Sequence, residues 1–238
     1  ERAAAAQEAK EERWNTEMAG KEWSTEEAAI LKAFTCSACG AEIVCDENTL
    51  ATECCYCGNP TMMPNRFGGM LKPDYVIPFK VSKKEAIEKL KMHYKGRPYL
   101  PKSFKDNNHI EEIQGVYVPF WMFDGKASGE ASYKATTSKV YEKGDEEITE
   151  TRHYEVSRAG SIGFEKIPVD ASSKMPDDHM DSIEPYDYSG LKAFSTAYLP
   201  GFLADKYDVS VKDSQKRADT RCASTLEDAL RGTVTGYD

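Results

Sequence analysis

Apolar and polar positions along the chain follow two different periods, and each predicts its own kind of element. Residues 1–34 are rich in Ala, Glu and Lys and predict a helical lead-in, with Trp14 and Met18 one turn apart on one face. Gly20 interrupts it, and Ser24 with Glu27 forms a capping box that opens a second helix running toward Phe34. The same box recurs at Ser82 and Glu85, followed by the stripe Ala86, Ile87, Leu90 and Tyr94, with Gly96 and Pro98 as the stop. A third helix is expected over 210–231, with Val211, Ala218, Cys222, Leu226, Ala229 and Leu230 inward and Gly232 as its cap.

The rest follows the period of two. "DYVIPFKV" predicts a short strand. "EIQGVYVPFWMFDG" is apolar on both alternating sets, so a strand inside a covered sheet is expected there. "KASGEASYKATT" places Ala127, Gly129, Ala131 and Tyr133 inward and Lys126, Ser128, Glu130 and Ser132 outward. "EKGDEE" predicts a hairpin turn, with "ITETRHYEVS" and "GSIGFEKIPV" as two further antiparallel strands. Short helices are expected between Asp170 and Ser189, and "TVTGYD" resembles the start of a strand. The fold class expected is α+β on antiparallel sheet, in three parts: a helical lead-in over 1–34, a cysteine segment over 35–66 and an α+β domain over 67–238. "YVPFWMFD" and "YLPGFLAD" share Tyr-x-Pro-x4-Asp, which suggests a degenerate internal repeat with halves near 73–125 and 170–238.

Cysteine placement changes this picture most. Six of the seven cysteines fall between positions 36 and 57; Cys222 stands apart in a helical pattern. Such clustering points to metal rather than disulfides, and metal-bound thiolates point to a reducing compartment, here the cytoplasm. The frame is Cys36-x2-Cys39-x14-Cys54-x2-Cys57, each pair in a tight turn with a glycine after its second cysteine. Two such turns facing each other cage one Zn²⁺ with Zn–S near ~2.3 Å. Cys55 gives only a one-residue gap to Cys57, and Cys45 lies mid-hairpin, so both are expected to pack rather than ligate. Four thiolates close the shell against water, so the zinc is expected to be structural and the protein not an enzyme.

Charge then narrows the partners. The chain carries a formal net charge of −9, and from Cys36 to Pro60 there are four acidic residues and no Lys or Arg. A zinc–tetrathiolate adds about −2 more, and such a segment repels phosphate. The basic stretch in the following helix is the alternative, with Lys83, Lys84, Lys91, Lys95 and Arg97 as candidate phosphate contacts. No stretch is apolar and long enough to span a membrane. The chain starts at Glu1 and is expected to be part of a longer protein. Neither a phosphate-binding glycine loop nor a nucleophile elbow is present.

"CSACGAEIVCDENTLATECCYCGNPT", with "PDYVIPFKVSKKEAIEKLKMHYKG", "LPKSF" and "IQGVYVPFWMFD", resembles a family of uncharacterised bacterial proteins, the TFIIB-type zinc ribbon-containing proteins, sometimes labelled PriA helicase-like. The resemblance runs from Trp23 to the end of the chain and implies zinc ligation by Cys36, Cys39, Cys54 and Cys57. It implies longer members, with a further cysteine-rich start and a continuation beyond the C-terminus. The helicase label has no counterpart in the residues, since Gly-x4-Gly-Lys-Ser/Thr is absent. The functional expectation is a zinc-binding adaptor or scaffold acting on another protein. Its alternatives are a nucleic-acid-associated accessory factor and an enzyme with a cleft in the α+β domain.

Overall fold

The computed structural model describes residues 14–16, 19–49, 53–97, 99 and 113–237. Over these the chain is α+β, and it divides into two compact units, each assembled from separate stretches. One contains residues 18–120 and 170–210; the other contains 1–17, 121–169 and 211–238.

The first unit is built on a five-stranded sheet. It begins with α1 (Thr25–Ala29), capped as expected by Ser24, whose hydroxyl accepts from the Glu27 amide. The helix is shorter than its sequence predicts. At Leu31 the chain becomes β1 (Leu31–Cys36), followed by β2 (Glu42–Asp46) and β3 (Met62–Asn65). Leu31 and Ala33 alternate inward with exposed Lys32 between them, and two antiparallel partners outweigh the helix propensity of the segment. The sheet order is β3-β1-β2-β9-β5, where β5 is Val116–Tyr117 and β9 is Leu203–Asp205. β9 lies antiparallel to β2 and parallel to β5.

In β2, residues 43–46 are all buried, because both faces of the sheet are covered. Val44 joins Leu31, Ala33 and Leu199 on one face, walled by Trp23, Phe67 and Phe194. Ile43 and Cys45 join Leu203 on the other, with Phe34 and Met62 beside them. A second, two-stranded sheet pairs β4 (Tyr75–Val76) with β8 (Lys192–Ala193). The helix α2 (Lys83–Tyr94) carries the expected Ser82–Glu85 capping box. A short α3 (Asp177–Ser182) lies within the acidic stretch.

The second unit is a hairpin and a helix. β6 (Phe120–Lys143) and β7 (Glu146–Asp170) pair as one long ribbon around Gly144, which takes φ +70°, a value the mirror-image hairpin turns need. What the sequence divides into several strands is thus two continuous ones. The described part of this apolar segment, residues 113–125, is not one interior strand. It breaks after β5 at Val118–Pro119, where Pro119 has no N–H to give a ladder and its carbonyl accepts from the Ala171 amide, 2.9 Å away. α4 (Val211–Gly232) buries Ser214, Ala218, Cys222, Leu226 and Leu230, a stripe of every fourth residue. The small residues of the ribbon let α4 approach: a Cβ on Gly129 would sit 3.2 Å from Leu226, and one on Gly160 3.3 Å from Leu230. Phe123, Ile167, Val169, Ala218 and Cys222 form the core, with Trp14 edge-on to Phe123 at 5.2 Å. Trp14 lies outside any helix and donates its indole N–H to Asp219. Residues 1–13, Glu17 and Met18 of the expected lead-in lie outside the described residues. Thr233–Tyr237 form turns rather than the strand "TVTGYD" suggests.

Candidate metal centre

β1 ends at Cys36, and the chain turns at once. The Gly40 amide donates back to the Cys36 carbonyl at 3.0 Å, and the Cys36 amide donates to the Ala41 carbonyl at 2.9 Å. The second turn repeats the pattern: Gly58 N–H to Cys54 C=O at 2.8 Å, and Cys54 N–H to Asn59 C=O at 2.9 Å. Gly40 and Gly58 take φ +71° and +68°, left-handed conformations that a Cβ disfavours. Pairing of Cys36 with Met62, at the join of β1 and β3, lays one turn against the other. Ser37 adds its backbone N–H and its hydroxyl, both donated to the Thr61 carbonyl.

The result is four sulfurs in one place. The Sγ atoms of Cys36, Cys39, Cys54 and Cys57 all lie within 4.8 Å of one another, with Cys36–Cys57 and Cys39–Cys54 each at 3.6 Å. A tetrahedral ion with ~2.3 Å bonds to sulfur places its ligands about 3.8 Å apart, so the donors fit the group without rearrangement. They are positioned to bind a metal ion.

The backbone prepares these sulfurs for charge. Amides of Cys39 and Ala38 point at Cys36 Sγ, and those of Cys57 and Tyr56 at Cys54 Sγ; Ala41 serves Cys39 and Asn59 serves Cys57. The two turns therefore offer the same donors at the same offsets. The Cys39 amide, followed by that of Ala38, brings the Cys36 thiol down to about 6 against desolvation. Burial comes first at Cys54 and raises it despite its two amides. Ala41 lowers Cys39 and Asn59 lowers Cys57, yet burial and neighbouring sulfurs leave both raised. Four thiols this close resist joint ionisation, and a dication at their centre relieves that resistance.

Cys45 and Cys55 lie elsewhere. Cys45 is fully buried beside Ile43 and Leu203 and donates to the Thr49 carbonyl; Cys55 packs against the same cluster. Burial pushes the Cys55 thiol up to about 12, helped by the charges of Cys54 and Asp205. Behind the site, Asp205 is buried and its carboxyl is raised, chiefly by desolvation, while Ser172 and the Tyr56 hydroxyl oppose that shift. Lys174 is a contributor no sequence spacing reveals. It donates its ammonium to the Cys39 carbonyl at 3.0 Å across 135 positions of chain, tying a distant segment to the backbone of the first turn.

The candidate phosphate contacts are Lys83, Lys84, Lys91, Lys95 and Arg97. All five are exposed, the first three on α2 and the last two just past its end. The basic stretch continues in the sequence with Lys102 and Lys105, which lie outside the described residues. No described helix is long and apolar enough to cross a membrane.

Comparison with known proteins adds one relative. No family model matches the chain, and no solved structure matches it. It is similar to the uncharacterized protein YdjG of Bacillus subtilis (strain 168), 39% identical over 176 residues, covering 74% of this chain and 52% of that protein. The chain thus spans about half the length of the curated relative it matches.

Proposed function

We propose that Cys36, Cys39, Cys54 and Cys57 hold one Zn²⁺ as a closed structural site, and that the chain acts by binding another protein as an adaptor or scaffold in the reducing cytoplasm. This reading places it among the TFIIB-type zinc ribbon-containing bacterial proteins. Zinc suits four thiolates in a tetrahedral arrangement, and a shell completed by four sulfurs has no position for water. The metal fastens two turns that could not hold each other by apolar contact alone, with ~10–16 kcal/mol of binding energy as the scale in comparable peptides.

One observation carries the choice of partner. Glu42, Asp46, Glu47 and Glu53 are the only charged side chains of the segment from Cys36 to Pro60, with no Lys or Arg among them, which favours protein over phosphate. The exposed basic residues of α2 and its C-terminal end support the second reading, a nucleic-acid-associated factor. Filter binding of single- and double-stranded DNA and RNA across a salt series decides between them. The adaptor reading expects no retention at low salt. Salt-sensitive retention that is lost in Lys83→Glu/Lys91→Glu/Lys95→Glu would replace it with the second.

A further inference from the structure

The β6–β7 ribbon is far longer than the helix that covers it. Its 24 residues run to about 80 Å of strand at ~3.3 Å each, whereas the 22 residues of α4 reach about 33 Å at ~1.5 Å each. Contacts of α4 end near Tyr133, whose hydroxyl donates to the Glu227 carbonyl, and Tyr154 meets Tyr237 just past the helix. Beyond that, residues 138–153 are exposed on both faces except for half-buried Ile148. Among the described residues the ribbon has only its two strands, so both outer edges present unpaired backbone groups. An isolated two-stranded ribbon is marginal in water, and an open edge is a template for another strand.

On one face of the ribbon the two edges carry opposite charge; on the other, Glu142 of β6 lies opposite Glu147 of β7. Ser132 pairs with Ser157 and Ser138 with Thr151 through their hydroxyls, which sets Lys139 opposite Glu150, Tyr141 opposite Ile148 and Lys143 opposite Glu146. On this face the β6 side bears Lys139 and Lys143, and the β7 side bears Glu146, Glu150 and Arg152. Among the described residues neither lysine has an ion pair, nor does Glu146; Glu150 is bound by Arg152 two residues along its own strand.

We propose that the distal β6 edge pairs with the distal β7 edge of a second copy of this chain, extending the ribbon into a continuous antiparallel sheet. Each copy brings both halves of the match. In a β7–β6–β7–β6 succession the alternation is preserved, so Lys139 and Lys143 fall on the same face as the neighbour's Glu146 and Glu150, at cross-strand distance. The exposed Tyr141 meets the neighbour's Ile148 in the same step. Because the two edges differ, the contact is head-to-tail and generates a ring or a filament rather than a two-fold dimer. It requires neither the metal nor the adaptor reading.

Sedimentation velocity of the whole chain tests this. The wild type is expected to associate with concentration, and less so as salt rises. Lys139→Glu/Lys143→Glu and Glu146→Lys/Glu150→Lys should each weaken association about tenfold or more. An equimolar mixture of the two should recover it, since each then meets an edge of opposite sign. The variant with all four reversals keeps every cross-strand pair within the hairpin and should associate like the wild type, which separates edge matching from misfolding. A wild type that stays at the mass of one chain overturns the proposal. So does association unaffected by either pair of reversals, or a mixture that fails to recover it.

Discussion

At the residue scale the cysteines divide by where the backbone aims its amides. Cys36 and Cys54 each receive two N–H groups and Cys39 and Cys57 one, whereas Cys55 faces an apolar cluster and its thiol is pushed up to about 12, mainly by burial. Cys57→Ser is therefore expected to drop bound zinc from one equivalent to near zero, while Cys55→Ser leaves it at one; elemental analysis of the purified variants reads both. The spacing of two between each pair was enough to find all four sulfurs in the sequence, because a tight turn is a local matter. Lys174 was not findable that way, since nothing near it in the chain hints at Cys39. Asp187 gives a pH test. Its carboxyl is lowered from its ordinary 3.8 to about 2, first by the Ser189 hydroxyl and then by Lys80. A depressed carboxylate contributes stability that is complete above pH ~4 and is lost as pH falls toward ~2. A ¹³C titration of its side chain should show a midpoint near 2, moving back toward the ordinary value in Lys80→Ala.

Among the elements, those fixed by local signals were the legible ones. Both capping boxes form, and of the expected α4 stripe Ala218, Cys222, Leu226 and Leu230 are buried, whereas Ala229 is exposed and Ser214 takes a buried place in its stead. Segments whose identity depends on distant partners read less well. Leu31–Cys36 continues a helix-like composition but is drawn into a sheet by β2 and β3. The three residues of β9 are too few for any period, and their pairing with β2 spans some 160 positions of chain. The ribbon reads as several strands because Gly160 and Gly163 look like punctuation, although Gly160 is there for close approach of Leu230. Gly125 serves in the same way. A Cβ there would lie 2.5 Å from the Trp14 ring, so Gly125→Val is expected to destabilise the hairpin unit by about 1–3 kcal/mol in a denaturant titration. An unchanged midpoint would mean that Trp14 is not seated against the ribbon.

For the whole molecule, the two compact units differ in what holds them. The hairpin unit has a conventional apolar core around Phe123, Val169 and Cys222. In the sheet unit the buried cluster nearest the thiols is small, just Cys36, Ala41 and Cys54 with Tyr56 and Met62 beside it. Its two turns are therefore expected to depend on the ion, and chelation should accelerate hydrogen exchange at the amides of Gly40, Cys54 and Gly58 before those of β6 and β7. X-ray absorption at the zinc edge of the purified full chain tests the central claim most directly. A shell of four sulfurs at about 2.3 Å, with no lighter scatterer, is the expected result. A nitrogen or oxygen ligand in that shell, or only three sulfurs, would contradict it.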